Sequence, residues 1–209
     1  AGVAKEGQTV SGDGFTFMEL ENGRFLLALC DGMGVGKAAA KHSEKTLAIL
    51  ERLLEAGFSQ ETAVKVTNAA MIATNPDESF STIDAALIDT AAGKIRFIKA
   101  CAPTSFIKHR SKIEIIRGGS LPVGIMDEVV PKVTEKTIGP GDMVIMVTDG
   151  VIDALSDKQN GEEVIRKILS EMKTTNPQDI AEGLLKKAKG QKSIRDDMTV
   201  LVGSIWEKR

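Results

Sequence analysis

The chain has 209 residues, with 27 Lys and Arg against 29 Asp and Glu, and a formal net charge of −2. That length allows one large domain or two small ones, with a substantial buried core. Near-neutral charge, 4% aromatic residues and no Tyr exclude nucleic acid as the expected partner, since neither a phosphate-tracking surface nor a base-stacking platform is present.

No apolar run approaches the length of a membrane span, and no signal peptide is recognisable. The expected location is the cytoplasm, with room for membrane anchoring elsewhere in a longer parent protein. The chain opens Ala1-Gly2-Val3 rather than with Met, so residues 1–209 are expected to be a single domain excised from a longer chain. The two cysteines, Cys30 and Cys101, both stand in apolar strand-like surroundings and are expected to be reduced and buried.

Taken in order, Ser11-Gly12-Asp13-Gly14 precedes a strand-like Phe15–Met18, and Asn22-Gly23 signals a hairpin turn. The return strand, Arg24 to Cys30, ends at Asp31, and three glycines follow in the next five positions. From Gly36 to Ala56 the spacing of Leu47, Leu50 and Leu54 predicts a helix closed by Gly57. Ser59 is the expected cap of a second helix, with Glu61 in its first turn, Ala63, Val66 and Ala70 on its inner face, and Asn75-Pro76 as its stop. Strands follow at 81–88 and 95–100, and Phe106-Ile107 pairs with Ile113–Ile115 across the turn His109–Lys112. A glycine-rich loop runs from Gly118 through Gly124. Gly139–Asp142 turns into a buried strand, Met143 to Thr148, that meets Asp149-Gly150. Asn160 with Glu163 resembles a capping box before a helix carrying Val164, Ile168 and Met172. Asn176-Pro177 opens a last helix with Ile180, Leu184 and Ala188 on one face. Asp196-Asp197 then precede a final strand from Met198 to Trp206.

Short hairpins between successive strands imply antiparallel sheets, unlike the alternating pattern of a doubly wound fold. The expected fold class is α+β: a four-layer α/β/β/α sandwich, two antiparallel sheets flanked by helix pairs. Helices 36–74 carry enough apolar surface for core packing first, and for a homodimer or regulatory contact second.

Three apolar strands each present a carboxylate at one end: Asp31, Asp149 and Asp196. Converging acids need cations, and an all-oxygen set suits Mn²⁺ or Mg²⁺. Other chemistries fail on spacing. Gly32 leaves three rather than four residues before Gly36-Lys37, and Ala38 replaces the Ser or Thr of a P-loop. Neither His42 nor His109 accompanies a nucleophile elbow, and no Cys/His spacing suits zinc. Asp142 is expected to cap a turn.

Together, Ser11-Gly12-Asp13, Asp31-Gly32-Met33-Gly34-Val35-Gly36, Ser81-Thr82-Ile83-Asp84, Gly141-Asp142 with Thr148-Asp149-Gly150, and Asp196-Asp197-Met198-Thr199 resemble the metal-dependent PP2C-type (PPM) protein phosphatases over nearly the whole chain. The form is most similar to the sporulation members of the bacterial branch that controls sigma factors. The resemblance implies a serine phosphatase in which a water bridging two Mn²⁺ or Mg²⁺ ions attacks the phosphoserine of an anti-sigma factor antagonist protein. Asp31 would bridge the ions, the Gly32 carbonyl would bind one, and Asp149 and Asp196 would hold the other. Asp13 would act through metal-bound water. Asp153 would serve an extra ion, and Asp197 would support the set. Two positions depart from the family pattern. Met33 stands where a His is common, and Gln8 stands where an Arg grips phosphate, leaving Lys5, Lys37 or Arg195 as candidate clamps. The alternatives are a phosphatase of the general stress pathway and a non-catalytic scaffold of the same fold.

Overall fold

A computed structural model describes residues 1–74, 79–110, 112–156, 160–190 and 193–206. Among these residues, ten strands form two five-stranded, wholly antiparallel sheets. One sheet has the order β2-β3-β4-β5-β8: β2 (Asp13–Leu20), β3 (Arg24–Asp31), β4 (Ile83–Asp89), β5 (Lys94–Ala100) and β8 (Lys132–Thr137). The other runs β1-β10-β9-β6-β7: β1 (Gly2–Val3), β10 (Met198–Ser204), β9 (Met143–Val147), β6 (Ser105–Lys108) and β7 (Ile113–Ile116).

The apolar runs of β3 and β9 have a simple cause: both faces of these strands are covered. Leu26, Ala28 and Cys30 of β3 pack on the helix side, while Leu27 and Leu29 fill the space between the sheets. In β9, Met143, Ile145 and Val147 face helices, and Val144 and Met146 face the other sheet. Fully burying one such side chain stabilises the fold by about 1.5–3 kcal/mol. Three apolar layers result, one between the sheets and one beneath each set of helices, which is the four-layer sandwich expected.

The first helical layer is α1 (Gly36–Glu55) and α2 (Gln60–Thr74). Leu47, Leu50 and Leu54 are buried, as the spacing predicts. The Ser59 hydroxyl accepts the Thr62 N–H at 3.2 Å, confirming the cap. The inner face of α2 differs from expectation: Ala63, Val64, Thr67, Asn68 and Met71 are buried, while Val66 is exposed. Four-residue steps, Ala63-Thr67-Met71 beside Val64-Asn68, carry the buried stripe, and Val66 turns away from it. The predicted stop at Asn75-Pro76 lies outside the described residues.

The second helical layer holds three helices rather than two: α3 (Asp149–Leu155), α4 (Gly161–Glu171) and α5 (Pro177–Lys189). Asn160 caps α4 through the Glu162 N–H at 3.1 Å, but Glu163 does not complete the capping box; its carboxylate instead takes Arg166 Nε at 2.7 Å. Asn176 caps α5 through the Gln178 N–H at 2.9 Å.

Cys30 is buried as expected, but Cys101 is exposed and adopts a left-handed backbone (φ 51°) just past β5. The apolar run ends at Ala100, where the chain turns out of the sheet, and so Cys101 leaves the core. Asp142 caps its turn, accepting the Gly139 N–H at 2.9 Å, and its other oxygen lies 2.9 Å from His109 Nδ1.

Candidate metal centre

The β2–β3 hairpin turns at Asn22-Gly23, and its register sets Asp13 directly opposite Asp31. Asp31 is pinned from the neighbouring strand side. Its N–H donates to Thr82 Oγ1 at 3.0 Å, and its carbonyl accepts the Thr82 N–H at 2.9 Å. Gly32 forms a bridge with Ser81 and donates its N–H to the Gly12 carbonyl at 3.4 Å. A Cβ on Gly32 would stand 2.2 Å from the Ala39 carbonyl oxygen, so only glycine lets α1 lie this close on the turn.

The second sheet delivers the other acids to the same rim. Thr148, just past β9, donates its hydroxyl to Asp13 Oδ2 at 3.0 Å and accepts the Thr199 N–H at 2.9 Å. One side chain therefore ties the acid of one sheet to two strands of the other. Asp149 follows at the start of α3, where a negative charge suits the helix N-terminus, and its Oδ1 accepts the Gly150 N–H at 2.8 Å. A Cβ on Gly150 would meet the Asp197 carbonyl oxygen at 2.1 Å, so α3 packs directly on the Asp196-Asp197 segment. Asp196 is exposed, with Oδ1 accepting the Asp197 N–H at 2.9 Å.

Asp197 has a different environment. It is buried, and its two carboxylate oxygens accept the backbone N–H groups of Lys5 and Gly12, each at 2.6 Å. This carboxylate is committed to holding the N-terminal segment against the rim. Asp153 is exposed and shares a cavity with Gly150 and Asp196.

These acids sense one another strongly. Burial pushes the Asp31 carboxyl up to about 8, with the charges of Asp13, Asp149, Asp196 and Asp197 adding to the shift. Burial likewise pushes Asp13 up to about 7, against hydrogen bonds from Thr199 and Thr148 that favour its charged form. Asp149 is raised by burial first, with Asp196 and Asp153 adding repulsion against the Gly150 N–H. Buried like charges of this kind are relieved by a cation.

The donor set fits a hard divalent ion. It is all oxygen, and Asp13 Oδ1 is buried without a hydrogen-bond partner among the described residues. Among those residues, no group of three or more acid, His or Cys side chains is already gathered closely enough to hold an ion. The backbone thus brings Asp13, Asp31, Asp149 and Asp196 to one rim, and closure round an ion is left to their side chains.

The acid of Ser81-Thr82-Ile83-Asp84 serves elsewhere. Asp84 is buried opposite Lys99, whose ammonium donates to Asp84 Oδ2 at 2.5 Å, to the Pro103 carbonyl at 2.6 Å and to Ser105 Oγ at 2.8 Å. Ser105 also bonds Asp84, so the network joins β4 and β5 to β6 beneath the loop carrying Cys101. Burial raises the Cys101 thiol, and the charge of Asp149 adds to the shift. Sequence reasoning missed Lys99, Ser105, Thr148 and Thr199. A lysine inside the apolar run Ile95–Ala100, opposite an acid in the adjacent strand, was the available signal for the first.

The family model for stage II sporulation protein E (SpoIIE) matches residues 21–205. The chain is 35% identical over 207 residues to stage II sporulation protein E of Priestia megaterium, covering 98% of this chain and 35% of that protein. It therefore spans about a third of that curated relative's length. Among solved structures, the PP2C phosphatase domain of SpoIIE from Bacillus subtilis, with a fragment of its regulatory domain, superposes with a TM-score of 0.90 at 34% identity, over 99% of this chain and 60% of that one. The same phosphatase domain in a crystal form without domain swapping gives a TM-score of 0.75 at 32% identity, over 97% and 88%. The likeness to PP2C-type phosphatases read from the motifs is borne out, as is its sporulation branch.

Proposed function

The chain belongs to the stage II sporulation protein E family, and from that membership we propose that it is a phosphatase acting on the phosphoserine of a small regulatory protein, an anti-sigma factor antagonist. One observation carries the reading most directly. Four acids from separate chain segments face one rim, where burial first and the charges of Asp13, Asp149, Asp196 and Asp197 second lift the Asp31 carboxyl to about 8. A site built only to fold would not turn several carboxylates toward one rim with no cationic side chain paired to them among the described residues.

Asp31, the Gly32 carbonyl, Asp149 and Asp196 are the groups that would hold two Mn²⁺ or Mg²⁺ ions, with Asp153 beside an additional one. Such ions neutralise the ester's negative charge and activate water near neutral pH. Asp13, fixed by the Thr148 hydroxyl at 3.0 Å, keeps its Oδ1 free to accept from a water at the rim. Asp197 braces residues 5–12 against the centre. With Met33 after the Asp31-Gly32 pair, no histidine stands there to protonate the leaving alcohol, and that proton comes from water.

Phosphate release from the phosphoserine protein tests the reading. It is expected in Mn²⁺ and lost both in EDTA and in Asp31→Ala. Partner binding without hydrolysis in the wild-type chain contradicts it and favours the scaffold alternative. Running sporulation and general-stress antagonists side by side separates the two substrate branches.

A second reading concerns control. With Met33 and Gln8 standing where the family pattern carries His and Arg, we propose that basal activity is low until an adjoining segment or partner orders the rim. Equal turnover for this chain and a longer one would contradict it.

A further inference from the structure

Beside Asp196 lies a cavity of about 440 Å³. Its polar wall is Asp153, Ser193, Arg195 and Asp196, and Ala154 and Met198 contribute an apolar floor. Arg195 is the one cation lining it among the described residues. Two carboxylates share that lining, yet the structure shows no ion pair or hydrogen bond from the Arg195 guanidinium to any described residue. The side chain is exposed and uncommitted at the edge of the acid rim.

The other candidate groups are placed differently. The Gln8 side chain lies against the start of α1, where its Oε1 would be 2.4 Å from a Cβ on Gly36. Lys37 sits exposed in the first turn of α1. Lys5 is held by its backbone N–H on Asp197. None of these three lines the cavity with Asp196.

A phosphate dianion approaching Asp31, Asp149 and Asp196 meets strong repulsion that bound ions offset only in part. A guanidinium in the cavity that Asp196 also lines supplies two parallel N–H donors matched to two phosphate oxygens, which a lysine cannot reproduce. Resting on the phosphatase reading above, the geometry points to Arg195 as the residue that grips the phosphoryl group of the substrate, with the cavity receiving the part of the phosphoprotein next to the phosphoserine. Arg195 takes over the task that an N-terminal arginine, replaced here by Gln8, would perform.

Calorimetric titration of the 209-residue chain with inorganic phosphate, in saturating Mn²⁺, tests this without turnover. Arg195→Ala should weaken phosphate binding about ten-fold or more, the cost of one charge-assisted contact. Arg195→Lys should restore only part of it. Mn²⁺ affinity should stay unchanged in both variants, and Lys5→Ala and Lys37→Ala should bind phosphate as the wild type does. In turnover, Arg195→Ala should raise KM for the phosphoprotein more than it lowers kcat. Undiminished phosphate binding in Arg195→Ala, or an equal loss in either lysine variant, overturns the assignment. A wild-type chain that binds neither Mn²⁺ nor phosphate overturns the phosphatase reading together with it.

Discussion

Asp13 and Asp31 face each other as a directly paired couple across β2 and β3, two carboxylates where a sheet ordinarily places complementary side chains. Their positions raise both groups, Asp31 to about 8 and Asp13 to about 7, with burial the main cause in each. In the unfolded chain both titrate near the ordinary carboxylate value of about 3.9. Between those limits the folded state binds more protons than the unfolded state, and so stability falls as pH rises. The metal-free chain should therefore lose thermal stability steadily from about pH 4 to about pH 8. Saturating Mn²⁺ should flatten or reverse the trend. Differential scanning calorimetry across that range, in EDTA and in Mn²⁺, measures both slopes; a metal-free chain more stable at pH 8 than at pH 5 would contradict the crowding.

Removing one charge from the rim should separate stability from function. Asp31→Asn keeps the shape of the side chain and deletes its repulsion with Asp13, Asp149 and Asp196. Metal-free stability should rise by about 1 kcal/mol, or roughly 2–4 °C in Tm for a chain of this size. Mn²⁺ binding and phosphate release should collapse. A variant that is both less stable without metal and still active would show that Asp31 is an ordinary structural acid.

Asp197 should behave in the opposite way. Its carboxylate satisfies the Lys5 and Gly12 N–H groups, both at 2.6 Å. Asp197→Ala orphans both donors and should cost about 2–4 kcal/mol in denaturant unfolding. Once folding is restored by lower temperature, Mn²⁺ titration should show an affinity close to that of the wild type. A large loss of metal affinity with little loss of stability would make Asp197 a ligand rather than a brace.

Lys99 and Asp84 are 1% and 2% exposed. Burial pushes the Lys99 ammonium below its ordinary range, and Asp84 opposes that shift. Lys99→Met strands a buried carboxylate and should cost about 3–5 kcal/mol. The double variant with Asp84→Asn should recover much of the loss, because the orphaned charge is gone. A double-mutant cycle by urea denaturation checks the coupling, and strict additivity would contradict it.

The sequence shows some of these features plainly and hides others, for physical reasons. Strands β3 and β9 are legible because both faces are covered, which forces unbroken apolar runs ending at Asp31 and just before Asp149. Strand β8 is hidden because it is a polar sheet edge, Lys132-Val133-Thr134-Glu135-Lys136-Thr137, with no apolar run to mark it. Helix α3 is hidden because Asp149-Gly150 reads as a turn, whereas Gly150 is needed for contact with Asp197. The acids of the rim are legible as motifs at strand ends. Their tethers are not: Thr148 reaches Asp13 across 135 positions of sequence, a contact that only the stacking of two sheets creates. Asp84 belongs to a motif by sequence and to the Lys99 network by structure, because the β4–β5 register sets it directly opposite Lys99.

Manganese stoichiometry is the most direct check on the centre itself. Isothermal titration of the metal-free chain with Mn²⁺ at pH 8, followed by the same titration of Asp31→Asn, Asp149→Asn and Asp196→Asn, reads whether these acids act together. The expected result is two ions per wild-type chain, with at least one lost in every variant. Mn²⁺ binding absent from the wild type, or unaltered in all three variants, would contradict a shared metal centre.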